Sequence, residues 1–188
     1  MPTANSIPAP LKLQSRSLAW QIVAVVIGTL ILTASSYVEV PMYPVPVTMQ
    51  TFAVTMIGAL YGWRLGGITV IAWLMEGVTG LPVFAGGAGG IAHFAGPTAG
   101  YLFSFPVIAA LVGWLVERGW NGNRVGLAFL AMLLGNGLCL LLGASWLASL
   151  IGVEKATAFG VTPFIIGGAL KSALAAAILK LLAKRGAA

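Results

Sequence analysis

Six apolar runs, each close to the length of a membrane-crossing helix, follow one another along this chain. The breaks between them are short and rich in proline, glycine or basic residues. A helix needs about 20 mostly apolar residues to cross the hydrocarbon core, so 188 residues hold six crossings and little else. Only 7% of the residues are charged and 59% are apolar, with a mean hydropathy of +0.99. A soluble domain carries about 25% charged residues. The expected fold class is an all-α integral membrane protein, and a soluble enzyme is excluded. No stretch is left for an ATP-hydrolysing domain, and no cofactor is implied.

Residues 1–17 read as a polar cytoplasmic segment, 18–183 as one transmembrane domain and 184–188 as a cytoplasmic tail. Spans are expected at about 18–37, 48–63, 65–80, 97–117, 125–150 and 163–183. Pro41, Pro44 and Pro46 make 38–47 an extended loop, after which Thr48 is a candidate N-cap for the second span. The run Gly86-Gly87-Ala88-Gly89-Gly90 excludes 81–96 as a span. Pro97 is expected in the first turn of span four, where its missing N–H costs nothing, and Pro106 is expected to kink that helix. Thr162-Pro163 reads as another cap and first-turn pair opening span six. The cluster Thr33-Ala34-Ser35-Ser36 mimics a signal-peptide cleavage site, but the chain simply continues as a multispan protein.

The net charge of +6 comes from ten Lys and Arg against four acidic residues. It reports topology rather than nucleic-acid binding. With both termini inside, Lys12, Arg16, Arg64, Arg118, Arg124, Lys180, Lys184 and Arg185 are all cytoplasmic, and only Lys155 lies outside. Loops 38–47 and 81–96 then both face outward, and neither contains a Lys or Arg. Cys139, the single cysteine, excludes an intramolecular disulfide.

The tenth basic residue, Lys171, is the most informative. It falls about eight residues into span six, roughly 12 Å deep, where an ammonium costs at least about 2.5–3.5 kcal/mol. A ligand justifies that cost, and a structural ion pair is the bland alternative. Glu76, at the outer end of span three, is the nearest candidate partner by depth, or simply reaches water. Asn136, deep in span five, either bonds across helices or faces a cavity. Gln50 stands at the entrance of span two as a binding candidate, beside Thr48. His93 and Phe84, both in the glycine-rich loop, are further binding candidates, His93 as a lid contact; a lone histidine makes no metal site. A stiff loop and a supple loop over deeper polar groups describe an outward-facing solute pocket.

Three enzyme-like motifs fail. Gly87-x-Gly89-x-x-Ala92 lacks a βαβ unit, and Lys171-Ser172 lacks the P-loop glycines. Gly143-Ala144-Ser145-Trp146 lacks the glycine and the facing base of an intramembrane serine protease. Small residues four apart mark helix contacts: Ala24 with Gly28, and Gly58, Gly62 and Gly66. The spacing does not separate internal packing from partner docking.

The stretches Val45-Pro46-Val47-Thr48-Met49-Gln50-Thr51, Gly80-Leu81-Pro82-Val83-Phe84-Ala85-Gly86-Gly87 and Gly96-Pro97-Thr98-Ala99-Gly100-Tyr101-Leu102 resemble the BioY family, as does Pro163-Phe164 through Lys171. The likeness covers nearly the whole chain in order. BioY proteins are the biotin-binding S components of energy-coupling-factor (ECF) vitamin transporters. The resemblance implies a six-helix subunit of a bacterial cytoplasmic membrane that captures biotin from outside. It implies delivery inward with a transmembrane coupling protein and two cytoplasmic ATPase subunits. It also implies that Ala24 and Gly28 form the small-residue contact with the coupling protein. The family pattern places an Asp three residues before the lysine of the last helix, where this chain has Gly168. Glu76 or Asn136 is then expected to supply the missing acceptor. Lys171 could serve either the carboxylate or the ureido oxygen of biotin. The rival readings are a solitary secondary carrier or facilitator and, from another class, an intramembrane enzyme built on Ser145.

Overall fold

The structure, a computed structural model, describes residues 10, 11 and 13–185. Lys12 and the ends 1–9 and 186–188, assigned above to the cytoplasmic side, lie outside those residues. Helix α1 spans Leu18–Tyr37, the expected first span to the residue. Its buried stripe is Ala24, Gly28, Thr29, Leu32 and Ser36, whereas Trp20, Val23, Ile27 and Leu30 face outward. Apolar residues on all sides are what a lipid-embedded helix needs.

A two-stranded antiparallel hairpin follows, β1 (Glu39–Val40) with β2 (Val47–Thr48), in the register Glu39 to Thr48 and Val40 to Val47. The three prolines shape the loop between them. Helices α2 (Gln50–Tyr61) and α3 (Trp63–Val78) are joined by the single residue Gly62, whose φ of 83° glycine adopts without strain. The Glu117 carboxylate accepts the Trp63 N–H at 3.3 Å and the Gln14 side-chain N–H at 3.2 Å. A negative group at the start of α3 suits the helix dipole.

The second span comes out shorter than expected, and the third keeps its length but lies two residues earlier. At 12 and 16 residues, α2 and α3 reach only about 18 and 24 Å. Among the described residues, four helical stretches are long and apolar enough to cross a membrane: Leu18–Tyr37, Ala99–Glu117, Val125–Ile151 and Val153–Lys184. The hairpin takes Thr48 out of the second span, so Thr48 ends a strand and Met49 stands at the cap position. The Thr48 hydroxyl still accepts the Gln50 N–H at 3.2 Å, serving the first turn from one residue further out.

The glycine-rich segment forms two 3-10 turns, Ala85–Gly87 and Ile91–Phe94, as its backbone freedom suggested. Helix α4 (Ala99–Glu117) starts two residues later than expected, because Pro97 lies in the turn closed by the Ala99 N–H on the Gly96 carbonyl. It runs through Pro106 as one helix. Helix α5 (Val125–Ile151) is followed after Gly152 by α6 (Val153–Gly160), which falls between the expected fifth and sixth spans. Eight residues carrying Glu154 and Lys155 have no long apolar run to reveal them. Thr162 opens α7 (Thr162–Arg185), but its hydroxyl donates back to the Thr157 carbonyl at 3.1 Å and so closes α6 rather than capping α7.

Helix α4 is central, packed on α2, α3 and α5, and α5 in turn carries α7. Trp73, Ile108, Met132, Leu147 and Leu179 are fully buried between these helices.

Candidate solute cavity

A cavity of about 310 Å³ opens at the end of the bundle that carries the hairpin and the glycine-rich loop. Its volume is at the small end of the range for ligand sites, roughly 300–1,000 Å³. Tyr43 to Pro46 of the hairpin loop and Phe84, Ala85, Ala88 and His93 of the glycine-rich loop form its rim. Thr98, Tyr101, Leu102 and Phe105 form one wall from α4, a stripe at helical spacing. Asn136, Cys139 and Leu140 of α5 and Phe164, Gly168 and Lys171 of α7 form the other. Lys171 comes nine residues after the start of α7, about 14 Å along it. The polar groups therefore lie well below the loops.

Lys171 bridges α7 to the start of α2. Its ammonium donates to the Thr48 carbonyl at 2.5 Å and to the Thr51 hydroxyl at 3.5 Å. No acidic side chain lines the cavity among the described residues. The charge thus meets only neutral acceptors, and Lys171 is partly buried, so it bears part of the cost of several kcal/mol that an ion without a counter-charge has on full burial. Thr48 has a positioning part: its hydroxyl donates to Gln50 Oε1 at 3.0 Å, fixing a side chain that lines the cavity and leaving its N–H groups out of that bond. Asn136 is held the other way round. Its Nδ2 donates to the Met132 carbonyl (3.0 Å) and to the Ser172 hydroxyl (3.1 Å), which itself donates to the Gly168 carbonyl (2.8 Å). Both amide hydrogens are thereby committed, and Asn136 offers only its carbonyl oxygen to a ligand.

Phe84, 3% exposed, couples the rim to the core. Its ring meets Trp73 edge-on at 5.1 Å, Phe94 at 5.7 Å and His93 at 6.2 Å. Six of the seven residues picked out as ligand contacts line the cavity: Lys171, Gln50, Thr48, Asn136, His93 and Phe84. Glu76 does not. It flanks the buried stripe of Trp73, Leu74 and Gly77 on α3, half-exposed, and lines no part of the cavity. Depth along a helix says nothing about which way a residue faces. Of the two acceptors expected to replace the absent Asp, only Asn136 is in place.

Ala24 and Gly28 also turn inward. The Ala24 carbonyl accepts the Tyr61 hydroxyl at 2.9 Å, and a Cβ on Gly28 would stand 2.5 Å from the Thr69 methyl of α3. The structure places this pair in a seam inside the chain rather than on an outer face. The aromatic wall of Tyr101, Phe105 and Phe164 was not anticipated. Its helical spacing is visible in the sequence, but in a helix apolar all round it looks like any other stripe.

Residues 7–188 match the BioY family. The chain belongs to the BioY family. A protein of Rhizobium etli called "Biotin transporter BioY" is 38% identical over 140 residues, covering 71% of this chain and 75% of its own. One of Pyrococcus horikoshii called "Probable biotin transporter BioY" is 34% identical over 150 residues, covering 80% and 88%. Among solved structures, the S-component for biotin from an ECF-type ABC transporter superposes with a TM-score of 0.78 at 26% identity, over 90% of this chain and 95% of that one. As a BioY chain this is a member of a membrane transporter family, not of an enzyme family. The bundle is that of an S component.

Proposed function

We propose that this chain captures biotin outside the cytoplasmic membrane and delivers it inward, as the substrate-binding subunit of an ECF-type importer. The observation that carries this is a vitamin-sized apolar cavity holding one unmatched ammonium, Lys171, in a chain whose relatives are named biotin transporters. The fused rings and aliphatic chain of biotin suit the wall of Tyr101, Leu102, Phe105 and Phe164. Lys171 anchors a polar end of the vitamin, Gln50 donates beside it and Asn136 accepts. Thr48 holds Gln50 and Lys171 in position, and Phe84 and His93 form the rim from the glycine-rich loop.

The excess of basic residues at the end bearing both termini puts that end in the cytoplasm, with hairpin and glycine-rich loop outside. Inward release draws on a transmembrane coupling protein and two ATPase subunits, the machinery that the ECF-type assignment of the solved relative brings with it. Calorimetry of the purified chain with biotin tests the ligand. Uptake of labelled biotin by cells with and without a coupling module tests the mode of action. Strong uptake without any module would replace the partnered reading by a solitary carrier. Glu76→Gln should leave biotin affinity within about twofold of wild type, since a change away from the site shifts free energy by about 0.5 kcal/mol or less. A larger loss in the same calorimetric titration would put Glu76 back in the site.

A further inference from the structure

Where α3 begins and α4 ends, two exposed arginines have no partner for their charge. Among the described residues, neither the Arg64 nor the Arg118 guanidinium makes a hydrogen bond or an ion pair. Each lies instead over a tryptophan: Arg64 is 4.9 Å from the Trp63 ring centre and Arg118 is 3.5 Å from that of Trp114. An indole steadies a guanidinium through its face and leaves the N–H groups free to donate. The acid beside them, Glu117, is engaged elsewhere: its Oε1 accepts the Gln14 side-chain N–H and the Trp63 N–H.

The two helices touch closely at this end. A Cβ on Gly113 would lie 2.5 Å from the Trp63 nitrogen, and one on Gly67 would meet the Ala110 Cβ at 3.9 Å. Each helix carries an outward apolar strip at helical spacing that ends in its arginine. Ile68, Ile71 and Met75 continue from Arg64, and Phe103, Val107 and Trp114 lead to Arg118. Because α3 and α4 run antiparallel, both strips come to the same side of the seam. Helix α3 is also short: 16 residues reach about 24 Å, against a hydrocarbon core of about 30 Å. Headgroups must draw in to meet its Arg64 end, at a modest cost.

We propose that this seam docks an anionic phospholipid of the cytoplasmic leaflet, with its phosphate on Arg64 and Arg118 and its acyl chains on the two strips. The leaflet follows from the orientation proposed above. Charge complementarity selects the occupant. Basic pockets between helices on that side suit acidic headgroups, and a guanidinium can hold a phosphate through two parallel N–H donors. A zwitterionic lipid brings a phosphate but also its own cation, which opposes the arginines. The bound headgroup offsets the mismatch of α3 and sets its level in the bilayer.

The test is native mass spectrometry of the folded full chain in a neutral detergent, titrated with phosphatidylglycerol or phosphatidylcholine and without biotin, so that the result stands apart from the choice of substrate. Phosphatidylglycerol should bind at least about tenfold more tightly than phosphatidylcholine. Arg64→Gln combined with Arg118→Gln should weaken it by about 30-fold, the joint effect of two basic residues beside an acidic surface. Arg124→Gln combined with Lys180→Gln removes the same charge from exposed positions on α7 and at the start of α5, and should cost less than about threefold. Equal losses in the two double variants would reduce the effect to general surface attraction and overturn the site. Equal affinity for the two lipids would overturn the role of charge. Displacement of the lipid by free glycerol phosphate would make this a small-anion site and overturn the lipid.

Discussion

Lys171→Met is expected to remove tight biotin binding while leaving the protein at least as stable as wild type. The substitution keeps the length of the side chain and deletes the charge. Its effect on affinity should be at least about 30-fold, because truncating one partner of a hydrogen-bonded charge contact inside a site costs about 2–5 kcal/mol. The unliganded protein behaves differently. There the ammonium faces only the Thr48 carbonyl and the Thr51 hydroxyl. Deleting it loses those two hydrogen bonds but relieves a desolvation cost of at least about 2.5–3.5 kcal/mol. Calorimetry with biotin and a thermal melt in detergent, on one preparation, measure both. A variant that melts much lower than wild type would make Lys171 a structural residue. One that binds normally would take it out of the site.

The second large effect is at Gly58. A Cβ there would lie 2.2 Å from the Ala109 carbonyl oxygen, a backbone atom that cannot rotate away. Two more glycines share this crossing. A Cβ on Gly66 would meet the Gly58 Cα at 2.9 Å, and one on Gly113 would meet the Gly58 carbonyl oxygen at 2.7 Å. Helices α2, α3 and α4 touch here backbone to backbone, which only small residues permit. Gly58→Val should lower the melting temperature by about 10 °C or more, or prevent recovery of folded protein, consistent with overpacking costs of about 3 kcal/mol upward. Gly137→Ala is the matched control, since a Cβ there meets nothing within 4 Å. Equal melting of the two variants would show that the crossing tolerates separation.

The same crossing illustrates how much of the molecule is legible before folding. Gly58, Gly62 and Gly66 announce a close helix contact by their spacing, but not whether the neighbour belongs to this chain. Ala24 and Gly28 pose the same question, and the bundle places both seams inside itself. The first and fifth spans were read with bounds within a residue of those observed, because each is a long uninterrupted apolar run closed by polar or glycine residues. Helix α2 was overestimated, and α3 has the expected length but lies two residues earlier. The hairpin pairing that claims Val47 and Thr48 depends on Glu39 and Val40, residues on the far side of three prolines. Helix α6 was missed because it is short and carries two charges, a pattern shared with ordinary loops.

For the site, residues chosen because they are costly in a membrane were found together: Lys171, Asn136 and Gln50 all line one cavity. Glu76, chosen by its depth along α3, lies elsewhere, since depth does not give direction.

Composition over windows of about 20 residues is enough to say where this chain enters and leaves an apolar phase, because transfer and backbone hydrogen bonding are local. Which face of each helix looks into the cavity is another matter. Lipid tails are as apolar as leucine, so a residue against a neighbouring helix and one against lipid carry the same signature. Only the packed bundle separates Tyr101 and Phe105, which line the cavity wall, from Phe103 and Val107, which face outward on the same helix.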